Sequence, residues 1–407
     1  MGTTAFVGGT AFIGDGRVFE QATVIVEDKR IVKVIEGECT LPGDADVLDI
    51  TGHMILPGFI DCHLHILIDG SLNPMASVQK MSLPMLTLKA AVHARKTLMA
   101  GVTTARDMGG NASAEIALRD AIKSGIIKGP RLLVSGKQIC ITGGQGWQFG
   151  READGPDEVR KAAREQIKAG ADIVKLMATG GTMTEGVNPQ NTQLLESELR
   201  AGIEEAHKAG RKTASHAHGT EGILFSLRAG IDSIEHGIYL NDECIALMID
   251  KDVALVPTLR PGETIEEYSH LGIDDYIIEK SRLLRKPRIE SLHLARDAGI
   301  LIGMGADCGT PMNPHGQNLY ELVSLVNQGF SPVEALCIGT LNGARILGLE
   351  ETIGSIEEGK LADLVVVRGN PIEHISLLTE KSNLVSIMQG GTFIKQLLDE
   401  QPYIPEQ

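Results

Sequence analysis

A unit of helix, glycine and short apolar strand recurs in the middle of the chain and constrains the fold more than any other feature. In each copy a helical run ends at Ala-Gly, and the apolar strand that follows stops at a polar residue; the copies span residues 99–107, 168–175, 208–216, 228–236 and 297–307. Glycine directly after a helix adopts the left-handed conformation that other residues resist. Continuous apolar strands are typical of parallel sheets. The pattern therefore predicts βα units with right-handed crossovers.

The number of these units predicts an α/β barrel flanked by β structure. Strands are expected near residues 57, 102, 131, 171, 212, 231, 253 and 300. Eight βα units close into a barrel, so we expect a (β/α)8 (TIM) barrel as the catalytic domain over residues 57–356. The two ends of the chain carry only short strands separated by Gly, Asp and Pro. We expect them to form one small β-sandwich domain from residues 1–56 and 357–407.

Ionisable side chains stand at the expected carboxyl ends of these strands, where such barrels carry their chemistry. They are His63, His65, Asp107, Lys175, His216, His218, His236 and Asp307. Side chains two apart on a strand leave the same face, so each His-x-His pair points one way. Neutral imidazole and carboxylate are zinc ligands. We therefore expect a metal site, although each histidine alone could be structural and Asp307 could cap a helix.

Lys175 is the unexpected member of this set because it lies in an apolar strand, residues 173–177. An ammonium group only donates hydrogen bonds and cannot ligate a metal. A lysine whose pKa is lowered by burial can react with carbon dioxide, and the carbamate acts as a bridging carboxylate. An exposed or ion-paired lysine is the alternative, and the residues alone leave both interpretations open.

Several of these motifs together resemble the amidohydrolase superfamily. His63-Leu64-His65, after the segment 57–61, is similar to its first-strand motif, and residues 339–344 and 359–365 resemble its return into a terminal β domain. The resemblance implies a distorted (β/α)8 barrel holding two divalent metal ions, with zinc expected. The later ligands of that family match this chain in order and strand position at Lys175, His216, His236 and Asp307.

The same resemblance implies how the ions are shared. His63, His65 and Asp307 would hold one ion and His216 with His236 the other, while a CO2-derived carbamate on Lys175 would bridge the two. His218 is one imidazole more than a usual ligand set contains, and we expect it to contact the substrate. Asp307 would also be catalytic, because a carboxylate at the metal can pass a proton from water to the leaving nitrogen.

A narrower resemblance concerns the substrate. Residues 215–219 and 234–239 are similar to the branch related to imidazolonepropionase, which includes prolidase-like and Xaa-Arg/Lys dipeptidases. It implies hydrolysis of an amide bond in a dipeptide or N-acyl amino acid with a free α-carboxylate. One loop departs from that branch: its members often carry Gly-Gly-His-Gly, whereas this chain has Gly143-Gly144-Gln145-Gly146.

A substrate carboxylate needs positive or hydrogen-bond-donating partners at the barrel mouth. We expect them from Tyr239 first, and then from His218 and Arg260. Other residues are expected to line the pocket, namely Gln145, Trp147 and His315. Ordinary loop packing or exposure to solvent is the alternative for each of these side chains.

Three rival functions use the same residues differently. The metal site could hydrolyse a lactam, a carbamate, a phenylurea or a mycotoxin or other xenobiotic amide. The chain could also be a non-catalytic scaffold, although its complete ligand set argues against that role. A mononuclear deaminase is the third possibility, and Lys175 argues against it because the deaminases that resemble this family have no bridging lysine.

Composition limits the partners and the compartment. The net charge of −15 and an aromatic content of 3% argue against binding to nucleic acid or an anionic membrane. We expect a small-molecule substrate and a homo-oligomer. The N-terminus resembles no secretory signal and no apolar run could span a bilayer. The six cysteines are scattered. These features predict a cytoplasmic protein with free thiols.

Overall fold

The structure, a computed structural model, describes residues 2–37, 39–110 and 114–398 and shows a mixed α/β fold. The strands are β1 (Thr3–Phe12), β2 (Val18–Glu27), β3 (Arg30–Glu36), β4 (Asp46–Asp49), β5 (His53–Pro57), β6 (Phe59–Leu64), β7 (Val102–Asp107), β8 (Arg131–Val134), β9 (Ile139–Cys140), β10 (Arg151–Glu152), β11 (Ile173–Met177), β12 (Lys212–Ala217), β13 (Ser233–His236), β14 (Ala254–Val256), β15 (Leu364–Arg368), β16 (Leu384–Gln389) and β17 (Thr392–Gln396). The helices are α1 (Pro74–Gln79), α2 (Leu83–Met99), α3 (Ala114–Lys123), α4 (Pro156–Ala169), α5 (Glu196–Lys208), α6 (Thr220–Ala229), α7 (Asp242–Lys251), α8 (Arg260–Glu267), α9 (Asp275–Asp297), α10 (Tyr320–Asn327), α11 (Pro332–Ile338) and α12 (Leu341–Leu347). Two short 3₁₀ segments lie at Ser269–Leu271 and Ile375–Thr379.

Both ends of the chain contribute strands to one sheet. Its order is β17-β16-β15-β5-β1-β2-β3, and β4 pairs with β1. The turn between β16 and β17 places Gly390 and Gly391 at positive φ, the conformation that a tight two-residue hairpin requires. Side chains from both ends, among them Phe6, Val24 and Val366, share one apolar core. The predicted union of the termini is confirmed, but the strand pairing shows one sheet and not two facing layers.

The strands of the middle region pair in parallel, as their apolar sequences predict. They form one sheet in the order β10-β9-β11-β12-β13-β14 and another in the order β6-β7-β8. The eighth predicted strand, near residue 300, is not a continuous strand. It is reduced to isolated parallel bridges, Leu255 with Ile302 and Leu64 with Cys308. Asp307 has a φ of 49°, which extended strand geometry does not allow. The closed barrel therefore stays a prediction.

Glycine ends the helices of this region where the sequence predicts it. Gly170 follows α4 with a φ of 103°, and its N–H donates to the carbonyl oxygens of Gln166 and Ile167. Gly230 follows α6 with a φ of 96°, and its N–H donates to the carbonyl oxygens of Ser226 and Leu227. Each cap ends a helix directly before a buried strand, and so it sets where β11 and β13 begin.

The described residues fall into two compact units. One lies within Met1–Ile60, Thr97–Thr104 and Leu322–Gln407, and the other within Asp61–Lys96 and Ala105–Glu321. The domain boundaries predicted at residues 56 and 356 stay a prediction. The six cysteines are free thiols. In the described part of the chain, no helix has both the length and the apolar character that crossing a bilayer requires.

Candidate metal centre

The end of β6 and the segment after residue 302 bring two histidines and a carboxylate together. The Oδ1 atom of Asp307 lies 3.6 Å from Nε2 of His63 and 3.5 Å from Nε2 of His65. One ligating atom from each of the three residues lies within 4.8 Å of the other two. The structure therefore groups His63, His65 and Asp307, as predicted for one ion, and we call them the first cluster.

The ends of β12 and β13 bring three imidazoles together. Nε2 of His236 lies 2.9 Å from Nδ1 of His216, and the rings of His216 and His218 have centroids 4.5 Å apart. Ligating atoms of His216, His218 and His236 also lie within 4.8 Å of one another. We call these residues the second cluster. The rings of His63 and His236 have centroids 5.0 Å apart, so the two clusters are adjacent.

In the first cluster, the Nδ1 atom of each histidine lies within hydrogen-bond distance of an acceptor oxygen. Nδ1 of His63 lies 2.7 Å from Oε2 of Glu235, and Nδ1 of His65 lies 3.1 Å from the carbonyl oxygen of Gly109. An acceptor at one ring nitrogen fixes the tautomer and leaves the other nitrogen with a free lone pair. The Nε2 atoms of both residues are therefore the atoms free to bind a metal ion.

Two histidines of the second cluster are held by uncharged acceptors. Nδ1 of His236 lies 2.6 Å from Oγ1 of Thr258, and Nε2 of His216 lies 3.2 Å from the carbonyl oxygen of Gly180. Nδ1 of His218 is buried without a hydrogen-bond partner in the described residues. His236 and Thr258 both have positive φ, 72° and 48°. Such strained backbone persists where the surrounding structure fixes it, often at functional sites.

Glu235 belongs to a buried ion pair that supports the first cluster. Its Oε1 atom accepts hydrogen bonds from Arg106 at 2.7 Å and from Ser233 at 2.7 Å. Burial opposes ionisation of Glu235, but the charge of Arg106 and the bond to His63 hold its pKa at about 2. The carboxylate therefore stays ionised behind His63. The sequence analysis did not assign this role; the available signal was an acid in an apolar strand directly before His236.

The histidines of both clusters are uncharged. Burial, with the charge of Lys175 as a further cause, lowers the pKa of His63 to about 3 and that of His65 to about 4. Burial and the charge of Arg288 lower the pKa of His218 to about 3. A neutral imidazole is the form that binds metal, so these side chains need to lose no proton before ligation.

Lys175 lies in β11 and lines the same cavity as the two clusters. Its Nζ atom is buried and has no hydrogen-bond partner in the described residues. Burial lowers its pKa from 10.5 to about 8. An ammonium group left without partners in a buried site is unfavourable, whereas an uncharged amine there is reactive. Neither the exposed nor the ion-paired alternative describes this lysine.

The donor set fits a divalent metal. Besides Lys175 Nζ and His218 Nδ1, Oδ1 of Asp307 is buried without a hydrogen bond. Burial raises the pKa of Asp307 to about 7, which indicates a carboxylate lacking the positive partner that it needs. A Cβ atom at Gly305 would lie 2.8 Å from Cβ of His63, and one at Gly181 would lie 2.7 Å from Nε2 of His216. Both glycines therefore keep space free at the ligands.

Of the predicted substrate contacts, the structure brings His218 and Gln145 to the cavity. Oε1 of Gln145 is buried and has no partner in the described residues, so a ligand could satisfy it. The four others are absent from the described cavity wall: Tyr239, Arg260, Trp147 and His315. Their predicted contacts with a substrate stay untested.

Other interactions account for these four side chains. The hydroxyl of Tyr239 accepts from Nε2 of Gln190 at 2.9 Å, and Trp147 is 44% exposed. Arg260 lies 3.3 Å from Glu263 and over the ring of Tyr320. His315 binds the carbonyl oxygens of His65 and Ile68 and stacks on His93. Such contacts depend on loops that meet only in the folded chain, so sequence spacing did not predict them.

Arg288 is a cavity residue that the sequence analysis missed. It lies in α9 and lines the cavity with His218 and Asp307. This helix also carries Arg282 and Arg285, both exposed. Nothing in the sequence distinguishes the inward arginine from its neighbours, because only the packing of α9 decides which side faces the site.

Comparison with known proteins identifies the class. Residues 54–394 match the model of the amidohydrolase family, and the chain belongs to that family. This confirms the resemblance seen in the motifs. The chain is a hydrolytic enzyme that acts on amide bonds, and its family generally uses a metal.

Individual relatives refine the comparison. The chain is 29% identical to an ochratoxinase of Aspergillus niger over 96% of this chain and 86% of that protein. It is 26% identical to an imidazolonepropionase of Agrobacterium fabrum over 88% of this chain and 86% of that protein. It is also similar to the crystal structure of an Xaa-Pro dipeptidase with bound methionine in the active site. There the identity is 32% and the TM-score 0.88, over 97% of this chain and all of that one.

Proposed function

We propose that this chain is a binuclear metal-dependent hydrolase that cleaves the amide bond of a dipeptide or N-acyl amino acid with a free α-carboxylate. The observation that supports this proposal most directly is the meeting of both clusters and the unpartnered Lys175 in one cavity. A single metal ion would need only one of the two clusters. The site would lie at the mouth of the predicted (β/α)8 barrel.

We assign the ligands by charge as well as position. The first cluster would hold one ion through His63, His65 and Asp307. The second ion would be held by His216 and His236, which contribute no negative charge. A carbamate on Lys175 would supply that charge to both ions, replacing an ammonium that repels them. His218 would then remain for the substrate. Zinc is the expected metal because the donors are imidazole and carboxylate oxygen.

The chain's own residues supply orientation and proton transfer. Two divalent ions, when bound, polarise an amide carbonyl and lower the pKa of water. Asp307, whose Oδ1 lacks a hydrogen bond, accepts the proton of the attacking water and donates it to the leaving nitrogen. Glu235 holds Nδ1 of His63 and thereby fixes the direction of its Nε2. His218 contacts the substrate through its unpartnered Nδ1.

The cavity wall and the relatives support an amino-acid amide. Apolar side chains form part of the wall, among them Ile68, Phe149, Met183 and Ile265. Such a wall favours a substrate with an apolar acyl group or side chain. The similarity to an Xaa-Pro dipeptidase supports the release of an amino acid from a peptide-like amide.

Amino-acid release from a panel of Xaa-Xaa dipeptides and N-acyl amino acids would test the proposal. The protein should be loaded with zinc in the presence of bicarbonate. We expect turnover that depends on the metal and is restricted to certain C-terminal residues. His216→Asn should abolish it, whereas His207→Asn should not, since His207 is a surface histidine paired with Asp232. No release by protein that holds two ions per chain would contradict the proposal.

A second candidate keeps the site and changes the substrate to a lactam, carbamate, phenylurea, mycotoxin or other xenobiotic amide. Two observations favour it: the similarity to an ochratoxinase, and Gln145 in the cavity where related sequences often carry a histidine. An ochratoxin, a phenylurea and a carbamate belong in the same assay. Turnover of these compounds without turnover of any dipeptide or simple N-acyl amino acid would favour this candidate.

A further inference from the structure

Arg288 enters the cavity of the two clusters as a cation without a counter-ion. Its side chain lines the cavity with His218 and Asp307. Over residues 2–37, 39–110 and 114–398, no hydrogen bond or ion pair satisfies its guanidinium group, and its Nε atom is buried. The guanidinium lies against Gly262, where any side-chain carbon would overlap it. The fold therefore makes room for this cation.

The acids whose charges act on Arg288 are engaged elsewhere. Glu321 accepts hydrogen bonds from the backbone N–H groups of Leu259 and Arg260, at 2.7 and 2.8 Å. Glu263 lies 3.3 Å from Arg260, and Glu266 lies 3.1 Å from Arg285. Asp307 belongs to the first cluster. An arginine keeps its charge because it does not lose a proton, and no acid among the described residues pairs with Arg288, so its guanidinium is available to an anion that enters the cavity.

The predicted carboxylate contact, Arg260, provides a contrast. Its guanidinium is paired with Glu263 and Glu267 and packs over the ring of Tyr320. Its Nε atom, like that of Arg288, has no hydrogen-bond partner among the described residues, but its charge is paired and it lies outside the described cavity wall. Of these two arginines, only Arg288 combines a place at the cavity with unused donors.

A second unused donor lies beside Arg288. Nδ1 of His218 is buried and has no hydrogen-bond partner within the part of the chain that the structure describes, and the charge of Arg288 is the largest charge acting on His218. Lys280 also acts on His218, but its Nζ atom donates to the carbonyl oxygen of Thr184 at 2.7 Å. A planar guanidinium and an imidazole N–H together suit a carboxylate, whose two oxygens accept several hydrogen bonds.

We propose that Arg288, with His218 as a second donor, binds the free α-carboxylate of the substrate and selects acids over their neutral counterparts. This inference rests on the proposed function, because it names the group that the amide hydrolase recognises. Arg288 is a specificity-determining residue and takes no part in proton transfer. The pairing places the carboxylate on the second-cluster side of the cavity.

A matched pair of substrates tests the inference. N-acetyl-L-methionine and N-acetyl-L-methioninamide both release acetate on hydrolysis of the acetyl amide, and only the first carries a carboxylate. The zinc-loaded wild type should prefer the acid. In Arg288→Met, KM for the acid should rise by roughly 100-fold, since a charged hydrogen-bonded pair is lost, while kcat changes less. The kinetics of the neutral substrate should stay within about twofold.

Two variants control for fold and charge. Arg288→Lys keeps the charge but loses the planar fork, so its KM should lie between those of wild type and Arg288→Met. Arg282→Met removes an exposed arginine earlier in α9 and leaves the acids that act on Arg288 in their present pairs, so it should match wild type. A wild-type preference for the acid that survives in Arg288→Met would overturn the inference. Equal turnover of both substrates by wild type would overturn it as well.

A binding measurement separates this inference from the proposed function. Calorimetric titration of the zinc-loaded protein with L-methionine and with L-methioninol, which lacks the carboxylate, requires no turnover. We expect wild type to bind methionine at least about tenfold more tightly than methioninol, and Arg288→Met to bind both alike. If no amide is hydrolysed, the proposed function fails, yet this difference still supports an acid site at Arg288. Equal binding of both compounds by wild type would overturn the inference even if amides are hydrolysed.

Discussion

The two clusters use the same ligand chemistry but differ in charge. The first contains the carboxylate of Asp307, and the ionised Glu235 lies behind His63. The second contains only imidazoles, and a hydroxyl and a carbonyl oxygen hold two of them. The charges of Lys175 and Arg288 act on both clusters, on Asp307 in the first and on His218 in the second, and only the first contains a carboxylate to balance them. The first cluster can therefore attract a cation unaided, whereas the second needs an added anion.

This difference suggests why a lysine lines the cavity that holds both clusters. As an ammonium, Lys175 would deepen the imbalance at the second cluster, and as a carbamate it would correct it. The substrate carboxylate would bring a further negative charge to the same side. Both proposed anions come from outside the polypeptide, so the second cluster would depend on small molecules in a way that the first would not.

The largest expected effect is at Asp307, the only acid in the two clusters found among the described residues. Asp307→Asn should lower turnover by about 10³-fold or more, because the proton acceptor and donor is lost. The asparagine oxygen can still ligate, so zinc content measured by mass spectrometry should stay near that of wild type. Turnover close to that of wild type would remove Asp307 from the mechanism.

Lys175→Met should weaken the second cluster much more than the first, which keeps its own three candidate ligands. The variant cannot form a carbamate, so we expect zinc at the second cluster to bind roughly 100-fold more weakly, reducing the bound metal from two ions to one per chain. Depleting carbon dioxide while wild type is being loaded should have the same effect. Equal loading of both clusters in Lys175→Met would show that the charge comparison is wrong.

Glu235 and Thr258 are the acceptors that hold His63 and His236. Removing each of them should lower zinc affinity at its own cluster by a different amount. Glu235→Gln should lower zinc affinity at the first cluster by roughly 10–100-fold, because the ionised acceptor of His63 is lost and Arg106 is left unpaired. Thr258→Val removes the acceptor of His236 and keeps the shape of the side chain, so its effect should be only a few-fold. Competition titrations with a chelating dye would measure both. A larger loss of zinc affinity in Thr258→Val than in Glu235→Gln would contradict this expectation.

The last prediction concerns the stability of the protein without metal. Burial lowers the pKa of Lys175 from 10.5 to about 8. Between these values the unfolded chain holds a proton that the folded chain has released, so wild-type stability should rise with pH. Below pH 8, Lys175 is protonated in both the folded and the unfolded chain. The folded state then bears the whole free-energy cost of burying the ammonium group. Metal-free Lys175→Met lacks this cost and should be more stable at pH 7 by roughly 3 kcal/mol.

Urea unfolding in chelator and CO2-free buffer would measure this difference. The advantage of Lys175→Met should shrink as the pH rises from 8 towards 10.5. A variant less stable than wild type at every pH would mean that the free amine of Lys175 is not buried without partners.

The sequence predicted more of the metal centre than of the substrate pocket. His-x-His at a strand end places two imidazoles on one face by local geometry alone, and the apolar run around Lys175 indicated its burial. The residues that hold these side chains by hydrogen bonds could not be predicted in the same way. Glu235 reaches His63 and Arg106 across 172 and 129 residues of sequence, and no local pattern encodes such pairs.

Repeated local signals were enough to indicate α/β units, the union of both termini in one β structure and the residues of the two clusters, since capping glycines, strand period and residue spacing act within a few positions. Tertiary structure alone decided which arginine faces the cavity. The sequence indicated Arg260 as a substrate contact and gave no sign of Arg288. Ion pairs with neighbouring acids satisfy Arg260, while the packing of α9 leaves Arg288 inside the cavity without a counter-ion. Charge balance in a buried site depends on which elements meet, and that is a property of the folded chain.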